Sequence, residues 1–424
     1  MTRHIIAAAL SLLPVPALAQ HDAAVSRIAG GAAFGAAVAD LDAGHDRFVE
    51  EIVTLTEIPA PPFKEAARAK AFADRFRALG LTDVTIDAEG NVTGIRPGTD
   101  ARAKFVVMSA HLDTVFPEGT PVKVRREGTK LMAPGIGDDT RGLAALLAYV
   151  RALDAGKVRT KSPILFVGTV GEEGRGDLRG VRHLFTRGAY KDRIAGFFSI
   201  DGSGAARVTN GGVGSKRYHV VFKGPGGHSY GAFGIVNPMA AMAGAITGLY
   251  AIRPPADPRT TYSASVAGGG TSVNAIPNEV FVDIDMRSES AAALADIEKR
   301  FLEVVARAVA AENAARSTRF GRVVADPQPI GDRPAGTTPA ATPLVRQTMA
   351  AIAARGFTPE LESSSTDANI AMSLGIPAVT IGAGGTGGRA HALDEWIDVE
   401  KRESVKGLSA GLLALMAAAG AEPH

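Results

Sequence analysis

The chain has 424 residues, 46% of them hydrophobic, and a formal charge of +2. That length suits two domains, or one large domain carrying an insertion, with enough apolar content for a real core. Near-neutrality without a basic stripe speaks against nucleic-acid binding, and the lack of cysteine excludes both a disulfide framework and a thiolate metal site.

In chain order, "MTRHIIAAALSLLPVPALAQ" reads as a secretory signal. Arg3 supplies the positive start, Ile5 to Leu13 the apolar run, and Ala17-Leu18-Ala19 a small-x-small cleavage site. The apolar run is short and Pro14 and Pro16 interrupt it, so it does not suit a membrane anchor. Residues 1–19 are therefore expected to be a signal peptide, and the mature protein to be periplasmic or secreted, with no membrane span further on. "RIAGGAAFGAAVADLDAG" then reads as a loose lead-in or frayed helix. Amphipathic helices are predicted near Asp46–Thr56 and Lys64–Leu79, split by the breaker "IPAPP".

Apolar runs next alternate with helical patterns: "AKFVVMSA" with "TRGLAALLAYVRAL", and "SPILFVGTV" with "LRGVRHLFTRGA", closing on "IAGFFSID". This predicts an α/β fold, a mostly parallel sheet flanked by helices. The character changes near Gly211, where six segments read as β-α-β-β-α-β, the ferredoxin-like α+β order. Within "EVFVDIDMRS", Val280, Val282, Ile284 and Met286 alternate with Phe281, Asp283, Asp285 and Arg287, giving one buried and one largely polar face. After Pro329 the α/β pattern resumes with a helix over Pro343–Arg355, a short helix from Thr366 and the strand "IPAVTIGAG". The expected division is one domain in two parts, 20–211 and 330–424, interrupted by an insertion over 212–329.

The ends of the predicted core strands carry the chemistry. "FVVMSA" ends in His111-Leu112-Asp113, "ILFVGTV" in Gly171-Glu172-Glu173, "FFSI" in Asp201, and "AVTIGAGG" leads to His391. Asp138-Asp139 precede a helix in "APGIGDDTRG". The carboxyl ends of strands in an open α/β sheet line the ligand crevice. Each piece alone has a bland reading, as a surface pair, a solvated glutamate pair or a turn former. Together they imply a metal site, because burying several carboxylates in one place is costly unless cations neutralise them. In extended backbone, residues i and i+2 point the same way, so Asp113 can orient a metal-binding His111. Neighbouring Glu172 and Glu173 diverge, leaving one to bind metal and the other free as a base. Two metals about 4 Å apart, bridged by one carboxylate, would polarise a carbonyl and activate water.

The set "SAHLDTVFPEGT", "GIGDDTRG", "GTVGEEG", "SIDG", "GGHS", "GGTSVNAIP" and "GGRAHALDEW", in order along the mature chain, resembles a di-zinc exopeptidase family, peptidase family M-twenty. Tripeptidase T, glutamate carboxypeptidase, acetylornithine deacetylase and aminoacylase belong to it. The resemblance implies a catalytic α/β domain with an inserted dimerisation or lid domain. It implies His111, Asp138 and Asp201 on one divalent metal, zinc with cobalt or manganese as substitutes, and Asp138, Glu173 and His391 on a second. By the same resemblance Glu172 is the general base, Asp113 orients His111, and Asn274 and Arg287 grip the substrate's carboxylate. His228 of "GGHS" is implied to reach a partner subunit's site in a homodimer; its bland reading is an imidazole capping a glycine turn. The departure from the family is Thr140-Arg141, where a lysine often follows the acidic pair. The implied reaction is metal-dependent hydrolysis of small peptides by an exopeptidase, with N-acyl-amino-acid deacylation as the alternative on the same residues.

Gly227-His228-Ser229-Tyr230-Gly231 also matches the G-x-S-x-G nucleophile elbow, and Asp367 and His391 would complete a triad in order. That motif needs a strand running directly into the serine turn and a helix directly after it. Here Gly224-Pro225-Gly226 breaks the strand and "AFGIVNP" delays the helix, so a metal-independent serine hydrolase is disfavoured. A non-catalytic binding homologue is disfavoured by the intact acid and histidine set.

Overall fold

The computed structural model describes residues 22–422. The predicted signal segment lies outside them. The main sheet is built from β1 (Thr82–Ile86), β2 (Val92–Arg96), β3 (Phe105–His111), β4 (Ile164–Thr169), β5 (Ile194–Ile200) and β6 (Arg207–Gly212). A second sheet takes β7 (Gly214–Lys223), β8 (Thr260–Gly269), β9 (Glu279–Ser288) and β10 (Val324–Arg333). The chain then returns to the main sheet with β11 (Gly336–Thr337), β12 (Glu360–Ser364) and β13 (Ala378–Ile381).

The main sheet has nine strands in the order β1-β2-β4-β3-β5-β13-β6-β11, with β12 beside β6. The expectation of a mostly parallel sheet is corrected: it is mixed. The centre is parallel through β4, β3, β5 and β13, and β12 is parallel to β6. β1 with β2, β2 with β4, β13 with β6 and β11 with β6 are antiparallel. Every residue of β3 and β4 is buried, as the continuous apolar runs require of strands covered on both faces. Val106, Met108 and Ala110 pack into one core and Phe105 and Val107 into the other, as the two-residue period dictates.

The stretch read as a loose lead-in or frayed helix forms two helices, Ala23–Ala29 and Ala32–Ala43, that join the larger core through Val25, Ile28, Phe34, Ala37 and Leu41. Asp22 caps the first by accepting from the Ala24 and Val25 amides. Small alanines let the second lie close to helix Arg141–Ala155, while the first packs on helices Pro343–Ala354 and Lys401–Ala418, an organisation that local apolar contrast does not reveal.

The second sheet runs β8-β9-β7-β10, antiparallel throughout, with helices Pro238–Tyr250 and Ala291–Ala315 on one face. Val280, Val282, Ile284 and Met286 bury against Met242, Leu249, Ile297 and Phe301. The opposite face carries Arg217, His219, Asp283, Asp285 and Arg287, and it faces the edge of the main sheet where the acids and histidines gather.

Candidate metal centre

Parallel central strands bring the predicted residues to one sheet edge, the usual ligand crevice of such sheets. His111 ends β3, Glu172 and Glu173 follow β4, Asp201 follows β5, and His391 lies in the loop beyond β13. Asp138 comes from the turn before helix Arg141–Ala155, which is entered through Gly135 at φ +75°, a conformation open to glycine.

These side chains converge. His111 Nε2 lies 2.8 Å from Asp138 Oδ1. His391 Nε2 lies 3.1 Å from Asp138 Oδ2 and 2.8 Å from Glu173 Oε1. Ligand atoms of His111, Asp138 and Asp201 fall within 4.8 Å of one another, as do those of Asp138, Glu173 and His391. Asp138 is common to both groups and joins them. A third grouping, His111 with Glu172 and Glu173, puts Glu172 at the same centre. Asp139 turns away: its Oδ2 accepts from the His111 amide at 3.1 Å, and a Cβ at Gly142 would collide with its carboxylate.

The charge balance fits divalent cations. Burial pushes Glu172 well above the usual carboxylate range, with Arg333 opposing and Glu173 adding to the rise. Burial and the Asp138 charge lift Asp201 to about 7. Burial also raises Asp139. Burial works the same way on Asp138, but hydrogen bonds from His111 and His391 hold it below its ordinary value. Hydrogen bonds to Asp138 and Glu173 in turn raise His391 to about 11. Among the described residues, the five carboxylates of Asp138, Asp139, Glu172, Glu173 and Asp201 face four counter-charges, His111, His391, Arg333 and Arg207. That surplus of buried negative charge is what a bound cation neutralises. Imidazole and carboxylate together are suitable donors for Zn, Co or Mn.

Asp113 is fully buried and lies against His111 through both its backbone carbonyl and its carboxylate. The His111 Nδ1 is closer to the Asp113 carbonyl oxygen, at 3.1 Å, than to its carboxylate, at 3.7 Å. The carboxylate also accepts from the amides of Glu172 at 3.1 Å and Glu173 at 2.8 Å. It therefore ties the strand carrying His111 to the turn carrying both glutamates.

Three supporting residues had no role assigned from the sequence. Glu395 accepts from the amides of Gly135, Gly137 and Asp138 at 3.0, 2.7 and 2.9 Å and so shapes the turn that presents Asp138. It sits inside "AHALDEW", so a signal existed. Arg333 donates to Glu172 Oε1 at 3.1 Å and to the Glu172 carbonyl; no local pattern marks it. Arg141, at the departure from the family pattern, is fully buried and donates to Asp398 O and Ser404 Oγ, both at 3.1 Å. It anchors the start of the helix behind Asp138.

The centre opens into a cleft of about 930 Å3 whose walls include Asp138, Glu172, Glu173, Asp201 and His391 on one side and Arg217, Asp285 and Arg287 on the other. Arg287 faces the cleft, paired to Asp285 at 2.7 Å. Asn274 and His228 do not line it. Asn274 is exposed and accepts from Ser272 Oγ at 2.5 Å. His228 is exposed, and its Nδ1 accepts from the Tyr230 and Gly231 amides at 3.2 and 3.3 Å, capping the glycine turn. The Ser229–Asp367–His391 triad does not form: Asp367 accepts from Thr169 Oγ1 at 2.5 Å, while His391 faces Asp138 and Glu173.

Comparison with known proteins gives the family and the fold. The description peptidase family M20/M25/M40 matches residues 107–416. A peptidase T-like protein of Rhizobium meliloti (strain 1021) is 42% identical over 78 residues, a match spanning 18% of this chain and only 19% of that relative. Aminopeptidase PepT from Bacillus cereus ATCC 10987 shares the fold with a TM-score of 0.71 at 22% identity, over 88% of this chain and 99% of that one. A dinuclear metal-binding peptidase of the M20 family from Bacillus subtilis does so with a TM-score of 0.64 at 16% identity, over 88% and 98%.

Proposed function

This chain belongs to peptidase family M20/M25/M40, and we propose on that footing that it is a metal-dependent exopeptidase cleaving amide bonds of small peptides. The observation that carries this reading is the sharing of Asp138 between the His111 and His391 groups, the geometry of a carboxylate serving two cations. His111, Asp138 and Asp201 would hold one, and Asp138, Glu173 and His391 the other. Divalent ions bound there supply Lewis acidity toward the scissile carbonyl and a lowered pKa for water.

The chain's own groups do the rest. Glu172 takes the proton of the attacking water and returns it to the departing amine nitrogen. Arg333, on Glu172 Oε1, fixes the carboxylate's orientation. Asp113 holds the amides of both glutamates, so the proton carrier and its metal-binding neighbour stay in register with His111. Arg287, once released from Asp285, offers a planar fork to a substrate carboxylate.

His228 completes the site from a second copy of the chain. It lies outside its own cleft, on a turn flanked by the exposed apolar side chains of Tyr230, Phe233 and Val273, an arrangement suited to a subunit contact. The protein acts in the periplasm or outside the cell, a location supported by the pattern of residues 1–19.

The test is a panel of dipeptides, tripeptides and N-acyl amino acids offered to the metal-loaded mature protein. Hydrolysis of peptides with a free terminus, lost on chelation, is expected. Turnover of N-acyl amino acids alone would replace exopeptidase by deacylase, and no turnover of any of them would overturn the reading.

A further inference from the structure

The turn that carries Glu172 and Glu173 is gripped at its far end by the inserted sheet. Its backbone is unusual: Gly171 and Gly174 have φ +65° and +51°, and two residues with a Cβ follow, Asp177 at +51° and Leu178 at +60°. Left-handed backbone is disfavoured for such residues, leucine more than aspartate, and it persists only where the surroundings fix it.

The surroundings here come from the outgoing strand β10. Both Asp177 carboxylate oxygens accept from the Asp332 amide, at 3.1 and 2.9 Å. Arg182 donates to the Asp332 carbonyl at 2.7 Å. The next residue, Arg333, reaches back to Glu172, and Arg217 of β7 donates to the Gly174 carbonyl at 3.1 Å. Strand β10 shifts register between Pro329 and Gly331, just before this contact. At Gly331 a Cβ would lie 3.3 Å from Asp177 Oδ1 and 3.0 Å from Arg217 Cδ, so the strand passes close to both side chains.

We propose that Asp177 is a positioning residue: its clamp on the Asp332 amide fixes the end of β10 against the glutamate turn, so that Arg333 meets Glu172. This rests on Glu172 being the proton carrier. The clamp couples the placement of the whole inserted sheet to the orientation of one catalytic carboxylate, because the strand that leaves the sheet is the strand that delivers Arg333.

Two substitutions separate clamp from backbone. Asp177→Gly removes the carboxylate while tolerating positive φ, and Asp177→Asn keeps an acceptor oxygen and also tolerates it. With metal saturating and a peptide the wild type hydrolyses, Asp177→Gly is expected to lower kcat about tenfold or more, since small misplacements of reacting groups are that costly. KM should move by less than about threefold, because substrate binding does not use Asp177. Asp177→Asn should keep most of the wild-type kcat. Amide exchange over residues 172–178 of the metal-free protein should speed up in Asp177→Gly and not in Asp177→Asn. Wild-type kcat or unchanged exchange in Asp177→Gly overturns the proposal, as does an equal kcat loss in both variants. Should Asp177→Gly not fold, Asp177→Ser, whose side chain is too short to reach Asp332, is measured in the same way. If the wild type hydrolyses nothing, the functional reading fails while the exchange data still decide the clamp.

Discussion

Replacing Asp113 by Asn probes how the two halves of the metal centre are tied together. The Asp113 carboxylate is fully buried and accepts from two backbone amides, Glu172 at 3.1 Å and Glu173 at 2.8 Å. An isosteric amide can accept through its oxygen only, so one of those two N–H groups would face an NH2. Leaving one buried donor without an acceptor costs about 1–3 kcal/mol. The turn carrying Glu173 would then sit loosely relative to His111, and substitutions that disorient metal ligands cost about 10–100-fold in metal affinity or activity. Thermal unfolding of the metal-free protein reads the first effect and zinc titration reads the second. A metal-free Asp113→Asn variant as stable as the wild type, binding zinc with wild-type affinity, would refute the assignment of Asp113 to this tie.

Glu172→Gln should retain its metals and lose activity by about 100-fold or more, as expected for removal of a general base, with metal analysis and kcat measured on the same sample. His228→Ala should lower kcat with metal content intact, whereas Ser229→Ala should be mild, since the proposed reaction gives the imidazole a role across the dimer and the hydroxyl none. Mixing inactive His228→Ala and Glu172→Gln subunits should restore part of the activity, because one mixed site then holds both intact groups; no recovery after subunit exchange would argue that His228 does not act across the dimer. A serine-directed phosphonate should leave activity unchanged, while a chelator should abolish it until Zn or Co is added back.

The site was far more legible than its supports. His111, Glu172, Glu173 and Asp201 each end or follow an apolar run that reads as a buried strand, and such strands deliver their carboxyl ends to one edge. Asp138 and Asp139 were separable only by motif; in the folded chain Asp138 touches both imidazoles and Asp139 turns to a backbone amide. The outer strands escaped notice because "TDVTI" and "VTGIR" are short and partly polar. Antiparallel edges were invisible for the same reason, so the sheet read as more parallel than it is. Helix Ala32–Ala43 could be read no further than a loose lead-in or frayed helix, since alanine and glycine give little contrast between its buried and exposed faces. Arg333 and Asp177 act across 161 and 155 residues of sequence, and no local pattern announces polar contacts of that range.

The central claim is a two-cation centre bridged by Asp138. Counting divalent ions bound per chain by elemental analysis, in the reconstituted wild type and in Asp138→Asn, tests it most directly. Two ions in the wild type and weakened binding of both in the variant are the predicted result. A reconstituted wild type holding one ion or none, or an Asp138→Asn variant that keeps both at wild-type affinity, would contradict it.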